Sequence, residues 1–179
     1  MKERLMGVTL LRATIPVGWL LLSAGTLEAQ RRGGPAVVEA VCSQVLPAAE
    51  VERITHREAV RLVPRMSIRG AGGTCNYATD DEGMLVLVTI GSPSRSQADP
   101  YAAYKRQPMY RRNQRDIGGL GDAAFTSGDF SQIVVVKKGN RVIAVSSFFD
   151  YDRGSHRIRG ALLSREQVTA IARAVVGRL

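Results

Sequence analysis

Apolar residues recur along the chain in two periods, and each period marks a different kind of element. The clearest helical stripe lies at the C-terminus, where Val168, Ile171, Ala172, Val175, Val176 and Leu179 fall on one face. Ser164 precedes the stripe and Gln167 follows three residues later, a pairing that satisfies two orphan N–H groups as a capping box. A stripe of that width needs a sheet to lie on. Two valine-rich runs, Ile133–Val136 and Val142–Ser146, flank Lys138-Gly139-Asn140-Arg141 and predict the clearest hairpin. Cys75–Thr79 and Met84–Ile90 predict a second, joined by Asp80-Asp81-Glu82-Gly83, where glycine supplies the positive φ of the turn.

The remaining segments follow from breakers and caps. Residues 36–57 read as helical in one or two pieces, with Pro47 opening the second and Val51 and Ile54 facing inward. Residues 60–68 read as an earlier strand that Pro64 pushes to a sheet edge. Asp99-Pro100 pairs an N-cap with a proline at the first helical position, so a helix runs from Tyr101 to about Arg112, broken or kinked near Pro108. Residues 70–74 and 92–100 read as loops, 118–125 as a turn entering a short extended segment, and 150–159 as a polar loop. Strands joined by tight turns, with no internal repeat, predict an α+β fold. Its sheet is mostly antiparallel and flanked by helices, with the C-terminal amphipathic helix packed on it.

The N-terminus follows a third pattern. Lys2 and Arg4 precede an apolar stretch from Ala13 to Ala24, relieved only by Thr14 and Ser23. Small residues follow, and Leu27-Glu28-Ala29 before Gln30 is an acceptable cleavage site, with Ser23-Ala24-Gly25 as the alternative. The apolar core falls short of the roughly 20 residues a spanning helix needs. Residues 1–29 therefore read as a signal peptide, 30–35 as a flexible lead-in and 36–179 as a single α+β domain. That assigns the product to the periplasm or the extracellular space, with no membrane span after cleavage. In an oxidising compartment two thiols in a small domain pair, so Cys42 and Cys75 are expected to form a disulfide worth about 3 to 4 kcal/mol in the loop-entropy model. Cys42 lies well beyond the apolar region, which does not suit lipid attachment.

Composition adds little until charge is considered. The chain is 45% hydrophobic and 23% charged, ordinary for a globular protein, but carries a formal charge of +9. Such a field draws a protein toward anionic lipids, cell-wall polymers or nucleic acid without choosing among them. Lys105, Arg106, Arg111, Arg112 and Arg115 concentrate it beside Tyr101, Tyr104 and Tyr110. Two arrangements suit this segment. The arginines could hold phosphates while the tyrosines stack on bases, as an anion-binding face. Alternatively the tyrosines pack on the sheet and the basic residues stay solvated; this amphipathic arrangement is favoured.

The other motifs carry less chemistry. Gly119-Leu120-Gly121-Asp122-Ala123-Ala124 fits the loose dinucleotide fingerprint but lacks the preceding strand and is read as a backbone turn. Asp150-Tyr151-Asp152-Arg153-Gly154 lacks the further oxygen ligands of a calcium loop and is read as an ordinary turn. His56 and His156 are the only imidazoles, too few for a zinc site, and no serine-nucleophile motif occurs. No catalytic, metal or cofactor-binding residue is assigned, and no cofactor is expected. The expected function is an exported, non-enzymatic binding or interaction module. Its ligand would be an anionic envelope polymer or other envelope component, a small molecule or a protein partner, with no specific nucleic acid. The alternative is a small secreted hydrolase or transferase, which a pocket gathering His156, Asp150 and Asp152 with arginines would favour.

The order of features resembles a known group. Val41-Cys42-Ser43-Gln44-Val45-Leu46 precedes a Leu-Pro-Ala-Ala-Glu helix start, and Gly72-Gly73-Thr74-Cys75-Asn76-Tyr77 brings the second cysteine into a strand. A tyrosine-bearing helix, the Gly119–Ala124 turn, a valine-rich hairpin and a helix ending Arg173-Ala-Val-Val-Gly-Arg-Leu179 follow. This resembles bacterial exported lipoproteins and sensor-like extracytoplasmic domains of unknown function, whose architecture is similar to PsbP-type α/β sandwiches. Over roughly residues 36–179 the resemblance implies the disulfide, an antiparallel sheet flanked by helices, and binding of a small ligand or partner. The chain departs from those lipoproteins in lacking their lipid-attachment cysteine.

Overall fold

A computed structural model describes residues 41–63, 72–81, 83–91, 99–128 and 132–179. The proposed signal peptide (1–29) and lead-in (30–35) lie outside the described residues. So do the start of the first helix, Pro64 with the rest of the early strand, and most of the 92–100 loop.

Among the described residues seven strands form one sheet: β1 (Arg61–Val63), β2 (Gly72–Thr79), β3 (Gly83–Gly91), β4 (Arg115–Asp116), β5 (Ala123–Ser127), β6 (Ile133–Lys138) and β7 (Arg141–Ser147). Their spatial order is β1-β2-β3-β7-β6-β5-β4, and every pairing is antiparallel. The hairpins β2–β3 and β6–β7 use the turns expected of them, and Gly83 takes φ 71° where the first one closes. β1 lies at the sheet edge and ends just before Pro64.

The central strands are apolar on both faces, because both faces are covered. Along β6, Val134 and Val136 point into one core while Ile133 and Val135 point into another. β7 divides in the same way, with Ile143 and Val145 against Val142 and Ala144. This is the period-two alternation of a strand, with helices meeting each side. The first core takes in α1 (residues 41–45), α2 (Ala48–Thr55) and the C-terminal α5 (Arg165–Val176). The second receives α3 (Pro100–Arg106), which is followed by the single turn α4 (Pro108–Arg111).

α5 forms as its sequence requires. Ser164 Oγ accepts from the Gln167 N–H at 3.2 Å, and Gln167 Oε1 accepts from the Ser164 N–H at 2.9 Å. The Gln167 side-chain amide also donates to the Thr55 carbonyl at 3.0 Å, which joins the start of α5 to the end of α2. Val168, Ile171, Ala172 and Val175 are buried, each larger one contributing about 1.5 to 3 kcal/mol of transfer free energy. Val51 and Ile54 of α2 are buried as expected, and Pro47 opens that helix as its N-cap, its carbonyl accepting from the Glu50 and Val51 N–H groups at 2.9 and 3.3 Å.

Beneath α1, Cys42 and Cys75 form a disulfide with Cα atoms 5.6 Å apart, and both residues are buried. Two positions further along β2, the fully buried Tyr77 donates its phenol to the Leu46 carbonyl at 2.5 Å. One covalent bond and one hydrogen bond from the same strand face therefore hold the segment 42–46.

Three segments differ from their sequence reading. β2 begins at Gly72, inside the expected loop, because Gly72 to Thr74 pair with Gly91 to Thr89 of β3. Arg115 and Asp116, to which the sequence reading assigns no element, form strand β4, paired with Thr126 and Phe125. The supposed polar loop at 150–159 is a hairpin of its own, β8 (Phe149–Asp152) with β9 (Arg157–Ala161). Asp152 supplies the turn by accepting from the N–H groups of Gly154 (2.9 Å) and Ser155 (3.4 Å) and from Ser155 Oγ (2.8 Å).

Candidate anion-binding surface

The basic segment is built from its cap onward. Asp99 Oδ1 accepts from the Ala102 N–H at 3.1 Å with Pro100 in the first helical turn, so α3 starts where the sequence indicates. That contact, followed by nearby Lys137, holds the Asp99 carboxyl below the usual carboxylate range. α3 stops at Arg106 because Gln107 adopts an extended conformation (φ −62°, ψ 133°), as a residue preceding proline prefers. α4 restarts at Pro108.

The tyrosines face the sheet. Tyr101 is buried edge-on against Phe125 with ring centroids 5.6 Å apart. Tyr104 and Tyr110 lie 5.8 Å apart and pack against the second core. Burial of the ring pushes all three phenols above the ordinary tyrosine value. The favoured amphipathic arrangement is the one formed.

The basic side chains face solvent. Lys105 pairs with Asp116 across 2.8 Å, and that hydrogen bond raises the ammonium's pKa. Arg106 ends α3, Arg111 ends α4, Arg112 follows it and Arg115 lies in β4; all four are exposed. None of their four guanidinium groups has a hydrogen bond or ion pair among the described residues. By contrast Arg53, Arg61 and Arg159 each reach a carboxylate.

The backbone carrying these arginines is fastened down. The Ser127 hydroxyl of β5 lies 2.7 Å from the Tyr110 carbonyl and 2.8 Å from the Arg112 carbonyl, with one proton to share between them. The Gln114 amide donates to the carbonyls of Tyr110 (3.2 Å) and Lys105 (3.4 Å). The stretch therefore folds back on itself, bringing Gln114 and its neighbour Arg115 to the last turn of α3. A charge run in sequence becomes a surface. Within this stretch Met109 is 69% exposed, the highest value among the large exposed hydrophobic residues described.

A second surface lies at the β8–β9 hairpin, where the sequence suggests only a polar loop. An open cleft of about 500 Å³ is lined by Arg57, Asp81, Phe149, Asp150, Tyr151 and Arg153, with Ala161 and Leu162. Phe149, Tyr151 and Ile158 on this hairpin are 46%, 44% and 41% exposed. The signal available was the Phe-Asp-Tyr-Asp alternation before an Asp-x-Gly turn. Of the three groups whose convergence would favour catalysis, only Asp150 lines the cleft. His156 Nδ1 lies 3.1 Å from the Tyr151 phenol. Asp152 bonds Arg159 at 2.7 Å, the largest of several contacts that hold its carboxyl far below the usual range.

The remaining motifs are structural. Gly119 and Gly121 take φ 70° and 65° in a turn that leads into strand β5, so no helix N-terminus is present to meet a pyrophosphate. Asp122 uses this turn to clasp the β6–β7 hairpin. Its N–H donates to the Lys137 carbonyl at 2.8 Å and its carboxylate accepts from the Gly139 N–H at 2.6 Å. Among the described residues no group of three or more His, Cys, Asp or Glu could hold a metal ion, and no helix is long and apolar enough to cross a membrane.

The fold and its surface define an α+β protein with one face of the sheet under a disulfide-tied helical layer and the other under a basic helical strip. The chain matches no protein-family model, no curated protein and no solved structure.

Proposed function

We propose that the chain is an exported, non-enzymatic binding module that holds a polyanionic component of the cell envelope on residues 105–115. The observation that carries this reading is the set of four guanidiniums without a partner among the described residues, Arg106, Arg111, Arg112 and Arg115, on a backbone fixed by Ser127 and Gln114. The backbone is ordered before an anion arrives, the planar guanidinium fork loses less freedom per hydrogen bond than an ammonium does, and each phosphate or sulfate neutralised releases condensed counterions. The signal-like pattern of residues 1–29 and the Cys42–Cys75 bond support export. The ordered resemblance to bacterial extracytoplasmic domains supports the same reading.

The test is retention on immobilised heparin, a polyanion with no lipid character. Changing Arg106, Arg111, Arg112 and Arg115 together to Gln should move elution to markedly lower salt. A control that removes the same charge elsewhere (Lys138, Arg141, Arg157 and Arg173 to Gln, all exposed) should shift it much less. Equal shifts for both variants would leave only net charge and defeat the assignment to this strip. Mass spectrometry of the intact mature protein tests export directly, through a lost leader and two oxidised sulfurs.

A further inference from the structure

We infer that the polyanion is an anionic phospholipid surface, with Met109 entering its interfacial layer while the surrounding arginines reach its phosphates. This rests on the reading just given and names the partner of the same strip.

Three observations choose the membrane over other polyanions. First, the strip contains an apolar side chain that a soluble polyanion has no use for. Met109 is 69% exposed and separated in sequence by one turn or less from Arg106, Arg111 and Arg112. A thioether flanked by long cationic stems suits an interface, where the stems lie along apolar material and their charged heads return to the phosphates. Second, single-stranded nucleic acid would need free ring faces to stack on. The strip's tyrosines are occupied: Tyr101 is buried against Phe125, and Tyr104 and Tyr110 pack on each other and on the second core. Third, the strip is almost free of repelling charge. Asp116 is the acid beside it, and Lys105 neutralises it at 2.8 Å. The β8–β9 hairpin exposes more apolar surface, yet Asp81 and Asp150 offset Arg57 and Arg153 in the lining of its cleft, which leaves no excess positive charge to draw anionic headgroups.

The magnitudes suit a reversible attachment. Each arginine near an anionic leaflet strengthens binding about fivefold, and the effect fades beyond a Debye length. Four arginines and one inserted methionine give peripheral binding that salt can reverse.

The experiment is co-sedimentation of the mature, disulfide-intact protein with vesicles of phosphatidylcholine, with and without about one-third phosphatidylglycerol, alongside heparin retention. Binding should require phosphatidylglycerol, fall with salt and drop by about fivefold for each arginine changed to Gln. Met109→Ser should weaken vesicle binding severalfold while leaving heparin retention unchanged, and Met109→Leu should restore it. Because Met109 lies in solvent, neither substitution threatens the fold. Heparin retention without vesicle binding would overturn the lipid assignment and leave the polyanion reading standing. The lipid assignment also falls if Met109→Ser leaves vesicle binding intact, or if single-stranded DNA binds more tightly than vesicles and is indifferent to Met109. Loss of both activities would remove both.

Discussion

At the scale of single residues, stability turns on polar atoms inside apolar surroundings. Tyr77 is fully buried and spends its one proton on the Leu46 carbonyl. Tyr77→Phe should strand that carbonyl and cost about 1 to 3 kcal/mol, read as a fall of several degrees in Tm. Burial also raises the Tyr77 phenol well above the ordinary tyrosine value, because the phenolate would be desolvated. The sign of the pH effect follows. Below about pH 10 folded and unfolded chains both keep the proton, so the contribution is fully present; as pH rises further the unfolded chain ionises first and stability drains away. The parent should therefore lose Tm above pH 10 more steeply than Tyr77→Phe, which retains only the smaller effects of Tyr101, Tyr104 and Tyr110. Parallel melts across that range check it. Thr126 presents the opposite case, since its buried hydroxyl has no partner among the described residues. Thr126→Val keeps the shape, suits a strand and removes the stranded group, so Tm should hold or rise by a few degrees.

At the scale of elements, the turn before β5 shows how one glycine differs from its neighbour. Both Gly119 and Gly121 occupy left-handed φ, where a side chain costs about 1 to 2 kcal/mol. A Cβ on Gly119 would meet open space. On Gly121 it would strike the Lys137 carbonyl oxygen and lie 2.6 Å from Val136 Cγ1 of β6. Gly121→Ala should thus destabilise clearly more than Gly119→Ala in urea denaturation, and equal midpoints would contradict the close approach. The same contrast explains what the sequence could disclose. Ser164 with Gln167, Asp99 with Pro100, and the turns closing β2–β3 and β6–β7 are local signals, and each was legible because its partners lie within a few residues. β2 starting at Gly72 was not, since two glycines are poor strand formers and only pairing with β3 places them in the sheet. β8–β9 was hidden by its acids, which resemble a solvated loop until Asp152 is seen accepting its own turn. Half of the basic strip is readable in the same sense. Its charges form a run, whereas the packing of its tyrosines and the anchoring by Ser127 depend on a sheet face distant in sequence.

At the scale of the whole molecule, the sheet separates two layers that should respond independently. The disulfide and Tyr77 fasten α1 within the first core, while α3 and the strip rest on the second core across the sheet. Closing a loop between residues 33 apart stabilises by about 3 to 4 kcal/mol in the loop-entropy model, so reduction should lower Tm by about 10 °C. Cys42→Ala with Cys75→Ala should do the same, without leaving hydroxyls or free thiols in the core. Amide exchange should quicken first at residues 41–46, which then depend on the Tyr77 hydrogen bond and their apolar contacts. Below the lowered Tm, heparin retention should be unchanged, because Ser127 and Gln114 hold residues 105–115 through contacts that involve neither cysteine. If reduction instead abolished retention while the sheet stayed folded, the two faces would be coupled through β6 and β7, and the strip's geometry would depend on the helical layer opposite it. Calorimetry, exchange and heparin elution on one reduced sample separate these outcomes, since only coupling removes binding before the fold is lost.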